Sequence, residues 1–354
     1  MRAFKNKIIW GAFFLLVSSA LAFGYTALQK KTIDAWFAYW DVKNSLSILK
    51  DSPKDFISGV NLFFYSLDED ANIINAVADP EEYKQILSVL HQKQIKIIPT
   101  FTNDIIYSKT KTILKDPDII KRILSDGELR KRHLEQILNI AKELNAEGVD
   151  IDYEKIYAED RDQFSQFIKE LAGLLHSQNK SLAVTVQPKT EDHRRNGPGA
   201  IDWREVAEYA DQIIIMCYNY SSKVSRPGPL CPPSWLAKIM KFAKSQIPPE
   251  KICIALGLYG YDWSETDCSS VNLKKALELI KENSAQLIWD RKSQSPYFTY
   301  TKSGSQHEVW FENKESIAKK IQLIKKYSID HIAIWHLGML EASLSESLSS
   351  FLEQ

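Results

Sequence analysis

The chain has 354 residues, 44% of them hydrophobic, with 45 Lys+Arg balanced by 45 Asp+Glu. That length supports one large domain or two ordinary ones. The neutral balance leaves no global field to draw in nucleic acid or an anionic surface, so no nucleic-acid partner is expected.

The chain opens with a targeting pattern over residues 1–30. Arg2, Lys5 and Lys7 precede an apolar run at 8–21, broken only by Gly11, Ser18 and Ser19, and Ala20-Leu21-Ala22 offers the small residues of a cleavage site. The next charge is Lys30. The segment therefore reads either as a cleaved signal peptide or as an uncleaved membrane anchor, with residues 31–354 outside the cytoplasm in both cases.

From residue 32 onwards short apolar runs alternate with longer amphipathic ones. Strands are expected at 33–40, 60–67, 95–101, 147–154, 181–187, 212–218, 251–259 and 331–338, because these runs are rich in β-branched and aromatic residues and too short for helices. Helical spacing of apolar residues predicts helices at 80–94, 130–145, 161–178, 202–210, 233–246, 271–283 and 314–327. Eight strands joined by crossovers imply a parallel sheet, and eight such units over about 310 residues fit a closed (β/α)8 TIM barrel. An open doubly wound sheet competes, but no Gly-rich nucleotide loop follows the first strand. The long gap before the last strand holds YFTYTKSGSQHEVWFEN (297–313), which reads as a small β-hairpin insertion around Ser303-Gly304, within about 264–312.

Of the four cysteines, Cys217 and Cys253 lie in apolar runs and read as buried thiols. Cys231 and Cys268 lie in turn-rich segments and form one disulfide if their loops are neighbours. No CxxC pair suggests a structural zinc site.

The most informative stretch is EGVDIDYE (147–154). Strand side chains alternate, so Asp150, Asp152 and Glu154 share one face, with Val149, Ile151 and Tyr153 on the other. In a barrel the acids point inward and end at the C-terminal rim. Crowding and burial there raise at least one carboxyl pKa, which is what a general acid requires. Two plainer readings stay open: an edge strand with an acidic solvent face, or a divalent-metal site, for which the further ligands are missing.

This segment resembles the DxxDxDxE signature of glycoside hydrolase family 18, the chitinase family. GLYGYDW (257–263), SQSPYF (293–298), HEVWFEN (307–313) and IAIWHLG (332–338) resemble blocks of its bacterial branch, which includes spore-cortex glucosaminidases. The resemblance implies a barrel whose signature closes strand four. It also implies retaining hydrolysis of β-linked N-acetylglucosamine glycans, chitin-like or peptidoglycan, in which the substrate's own acetamido oxygen attacks. On that basis Glu154 is the general acid/base, Asp152 orients the acetamido group, Asp150 holds Asp152, Tyr218 hydrogen-bonds the acetamido carbonyl and Trp335 lies beneath the distorted sugar. Tyr39, Gln187, Asn219, Tyr259 and Trp263 are further candidates for the substrate pocket or its rim, although a Tyr or Trp at a strand end is more often packing.

The enzyme so read is expected to be a monomer that needs neither metal nor organic cofactor. Two positions depart from the family pattern: Glu147 stands for the first Asp of the signature, and Asn219 for the Asp commonly following the tyrosine. No repeated wall-binding modules are legible, which weakens peptidoglycan as the substrate. The rival reading is a sugar-binding protein of the same fold without the chemistry; such relatives usually lack the terminal acid.

Overall fold

The structure, a computed structural model, describes residues 30–77, 79–108 and 111–353. The leader expected over residues 1–30 lies, apart from Lys30, outside these residues. Among the described residues no helix is long and apolar enough to cross a membrane.

In chain order the strands are β1 (Thr32–Ala38), β2 (Gly59–Leu67), a short β3 (Ile73–Asn75), β4 (Lys96–Ser108), a short β5 (Lys111–Ile113), β6 (Gly148–Asp152), β7 (Ser181–Val186), β8 (Gln212–Met216) and β9 (Ile252–Gly257). After them come β10 (Tyr259–Ser264), β11 (Cys268–Asn272), β12 (Ile288–Asp290), β13 (Ser295–Lys302), β14 (Ser305–Trp310) and β15 (His331–Trp335). The helices are α1 (Val42–Asp51), α2 (Pro80–Lys93), α3 (Pro117–Ser125), α4 (Gly127–Glu143), α5 (Arg161–His176), α6 (Trp203–Tyr209), α7 (Pro233–Gln246), α8 (Leu273–Glu282), α9 (Lys314–Lys326) and α10 (Ala342–Leu352).

Eight parallel strands close into a barrel in the order β1-β2-β4-β6-β7-β8-β9-β15, and β15 pairs back onto β1. This is the TIM barrel expected, and the alternation of side chains explains it. One set (Ile33, Ala35, Val60, Leu62, Val149, Ile151, Leu182, Val184, Ile213, Ile215, Ile252, Ile254, Ile332, Ile334) belongs to the large core that includes the helices. The alternate set (Trp36, Phe63, Ala183, Ile214, Met216, Cys253, Ala255, Ala333) forms a second cluster along the barrel axis. Helix starts are marked by side-chain caps. Asp116 accepts the Ile119 N–H at the start of α3, Asp126 caps α4, Asp202 caps α6, and Asn313 forms a capping box on α9.

Three features depart from the sequence reading. The hairpin at Ser303-Gly304 is present, and both residues have positive φ (51° and 81°), as a two-residue turn of this hand needs. However, it supplies two strands of a five-stranded antiparallel sheet ordered β11-β10-β14-β13-β12, with α8 beside it. The run expected as one strand at 251–259 breaks after Gly257, and its end begins that second sheet. Second, the stretch 103–128, to which the sequence pattern assigns no strand or helix, holds the extension of β4, the short β5, all of α3 and the start of α4. Third, Cys231 and Cys268 are both free thiols, not a disulfide. Cys231 is buried in the large core, whereas Cys268 opens β11 opposite Trp263 in the inserted sheet. Burial is the main cause that pushes both thiols up, Cys231 to about 12.

Candidate functional site

The last ladder residue of β6 is Asp152, so Glu154 stands two residues beyond the strand rather than within it. Its backbone is nevertheless fixed. Its N–H donates to Asn103 Oδ1 (3.0 Å), and Asn103 Nδ2 donates to its carbonyl (2.9 Å). Just past it, Lys155 adopts φ +56° and turns the chain away.

The three acids differ in surroundings. Asp150 is fully buried and saturated with donors. Its Oδ1 accepts from the Thr185 hydroxyl (2.8 Å), and its Oδ2 accepts from Thr100 Oγ1 (3.0 Å), Trp36 Nε1 (3.2 Å) and Asn61 Nδ2 (3.4 Å). Burial pushes its pKa up to about 6, against the opposing pull of these donors. Asp152 is 4% exposed. Lys115 Nζ donates to its Oδ2 at 2.8 Å, whereas its Oδ1 is buried with no hydrogen-bond partner. Burial raises its pKa, and the neighbouring carboxylates of Glu154 and Asp150 add to the rise against the pull of Lys115. Glu154 keeps 19% of its side chain exposed, at the open end of the barrel.

The sequence reading missed Lys115. Its ammonium lies between Asp152 and Glu154, 3.3 Å from Glu154 Oε1, with its nitrogen 5.2 Å from the centre of the Phe63 ring. Burial alone would pull the ammonium down, but the carboxylates of Asp152, Glu154 and Asp104 together hold it above the usual lysine range. The residue adopts φ +56°, a left-handed conformation that costs a non-glycine residue roughly 1–2 kcal/mol. Its N–H donates to Asp104 Oδ1 (2.9 Å), and the Asp116 N–H donates to the Asn103 carbonyl (2.9 Å). Lys115 is 37 residues before Asp152 in a segment without periodicity, and only the antiparallel pairing of β5 with β4 brings it here. Asn103, Asp104, Thr100, Thr185 and Trp36 were equally invisible, since each earns its place only through barrel register.

The aromatic candidates gather around the mouth. Tyr218 follows β8, is 7% exposed and lies within electrostatic reach of Asp152 and Glu154; burial drives its phenol well above the usual range, so it stays protonated. Tyr259 packs edge-on against it with ring centres 6.1 Å apart. Asn219, at φ +63°, turns its Oδ1 to accept from both Tyr259 (2.7 Å) and Tyr261 (2.7 Å). Trp335 ends β15 and meets Phe63 (5.0 Å), Trp36 (5.8 Å) and the exposed Trp40 (6.1 Å). Tyr39 packs edge-on against Trp40 (4.8 Å) and feels the Asp104 charge. Trp263 packs beside Tyr261 (5.3 Å) and donates to the Ser222 carbonyl, and so belongs to the inserted sheet's base. Gln187 is half-buried beyond β7, its side-chain oxygen against Gly197 and not drawn into the contacts of the acidic strand. Glu147, at the other end of β6, accepts the Ile97 N–H (2.8 Å) and ties β6 to β4.

A barrel with a sheltered carboxylate strand and an aromatic mouth has the architecture of a polysaccharide-cleaving enzyme. The chain belongs to glycosyl hydrolases family 18, whose sequence profile matches residues 34–339. It is 28% identical over 302 residues to the uncharacterised glycosylase YvbX of Bacillus subtilis, covering 80% of this chain and 86% of that one. It is also 28% identical over 225 residues to the cortical fragment-lytic enzyme of the same organism, covering 61% of this chain and 52% of that one, so it spans about half the length of that relative. Among solved structures, the chitinase of Chromobacterium violaceum superposes with a TM-score of 0.80 at 25% identity, covering 92% of this chain and 99% of that one. The protein is accordingly a glycosidase, and its family implies an N-acetylated glycan as substrate.

Proposed function

We propose that this protein is an exported, retaining hydrolase of glycans containing β-linked N-acetylglucosamine, chitin-like or peptidoglycan, with Glu154 as general acid and then base. The observation that carries this reading is the division of labour along one strand face: a saturated Asp150, an Asp152 with one buried, partnerless oxygen, and a Glu154 open to the cleft.

The chemistry follows from that division. Glu154 gives a proton to the leaving glycosidic oxygen while the acetamido oxygen of the bound sugar attacks the anomeric carbon. Asp152 Oδ1 accepts the acetamido N–H and stabilises the positive charge of the oxazolinium ring. Asp150 faces Asp152 from below, held rigid by its four donors, and keeps that pair in place. The protonated phenol of Tyr218 donates to the acetamido oxygen, and Trp335 forms the floor under the sugar. Glu154 then takes a proton from the water that opens the ring, so configuration is retained. Export rests on the basic and apolar pattern of residues 1–30, and likeness to a cortical fragment-lytic enzyme supports peptidoglycan among the substrates.

Glu154→Gln is expected to keep the fold and glycan binding while lowering release of a fluorogenic N-acetylchitooligosaccharide by about 10³-fold or more. Equal rates for variant and parent overturn the assignment. A parent inert on every N-acetylated glycan that still binds one makes it the lectin-like alternative. A de-N-acetylated chain should resist cleavage, because its internal nucleophile is gone.

A further inference from the structure

We infer that Lys115 is a positioning residue for this reaction: its ammonium is the fixed counter-charge that favours the anionic form of Asp152 and, by occupying Oδ2, leaves Oδ1 for the substrate. The inference rests on the roles given above to Asp152 and Glu154.

Four carboxyl groups converge here: Asp150 and Asp152 on β6, Glu154 just beyond it, and Asp104 on β4. Tyr218 and Tyr259 face Glu154 from the ends of β8 and β10, and Tyr39 approaches Asp104 from the end of β1. Among these groups Lys115 is the cation that contacts Asp152 and Glu154. An Asp152 that took up a proton would cease to be a full acceptor for an acetamido N–H and would lose its hold on a cationic intermediate. Burial pushes it in that direction, and Lys115 opposes the push.

The lysine is delivered, not merely present. Its own N–H is bound by Asp104, and the next residue is tied twice to Asn103, through Asp116 N–H to the Asn103 carbonyl and Asn103 Nδ2 to the Asp116 carbonyl (2.8 Å). Asp116 then caps α3. Asn103 also clamps residue 154, so one amide sets both the acid and the segment that carries its counter-charge. With Oδ2 taken by the ammonium, the buried Oδ1 is the remaining acceptor.

The test compares Lys115→Met, which keeps the stem over Phe63 and drops the charge, with Lys115→Gln and Lys115→Arg. Without the ammonium Asp152 protonates more readily, so the acidic limb of kcat/KM should move to higher pH by about one unit or more, and kcat at pH 5 should fall about tenfold or more. Lys115→Arg should leave the limb where the parent has it. A limb unmoved in both neutral variants, whatever their melting temperature, means that Lys115 only ties the hairpin down, and overturns the inference. A second readout needs no turnover: the carboxyl ¹³C titration of Asp152 in the full chain, assigned with Asp152→Asn. Its midpoint should rise in Lys115→Gln and Lys115→Met, and an unmoved midpoint overturns the inference. If the parent cleaves no N-acetylated glycan, the functional reading falls while this titration still decides the electrostatic role of the lysine.

Discussion

At the scale of single residues, neighbouring carboxyls are made different by what surrounds them. Asp150 has four donors and no freedom; Asp152 has one cation and a spare oxygen; Glu154 has solvent at its tip. The alternation of EGVDIDYE made their common face legible, since period two is a property of the backbone alone. The donors were not legible, because Trp36, Thr100 and Thr185 lie 114, 50 and 35 residues from Asp150. Lys115 and Trp40 were missed for the same reason. Trp40 is 53% exposed beside Trp335, more surface than folding alone would leave on an indole. As a second sugar platform, its replacement by Ala should raise KM for chito-oligomers by about three- to tenfold, equivalent to the roughly 1 kcal/mol of a stacking contact, with kcat little changed. Initial-rate kinetics on tetramer and dimer check this, and an unaltered KM for both removes Trp40 from the groove.

At the scale of elements, helices with strong periodicity stand where expected to within a few residues, while α1, α3 and α10 were not read at all. The Ser-rich ASLSESLSSFL of α10 has low intrinsic preference for helix, and its apolar stripe (Leu344, Leu348, Phe351) is decided by the core it meets. The inserted sheet was underestimated because β11 is short and polar and β10 runs straight on from the β9 pattern. One contact ties this insertion to the barrel's helical layer. Lys320 on α9 donates to Glu312, just after β14, at 2.6 Å, both side chains 1% exposed, and Ser316 Oγ shares the same carboxyl oxygen. Lys320→Met strands a buried carboxylate and should lower stability by about 3–5 kcal/mol, whereas adding Glu312→Leu should restore most of the loss. Urea unfolding of the single and double variants measures the difference.

At the scale of the whole molecule, closure of eight strands was legible because each strand–helix repeat carries its own period, and closure then follows from their number. What the repeat cannot encode is the polar content of the barrel's axis. Asp34 lies there on β1, 7% exposed, and burial pushes its carboxyl up to about 6. A folded-state value above the unfolded one means that the native state holds a proton the unfolded chain has released, so stability falls as pH rises from about 4 to 6 and is flat above about 7. Asp34→Asn removes this term. Between pH 4 and pH 8 its stability relative to the parent should therefore shift in its favour by about 2–3 kcal/mol, read from paired denaturation curves. A constant gap at both pH values contradicts it. The clamp that Asn103 places on residue 154 carries a consequence for adaptation. Because one amide from the adjacent strand supplies both backbone hydrogen bonds at residue 154, the main chain that carries the acid is held from β4 and not from the turn that follows. Tyr157 and Glu159 of that turn bind Asp118 and Lys121 of α3 instead, so reshaping it for a bulkier or branched polymer should spare these two partners.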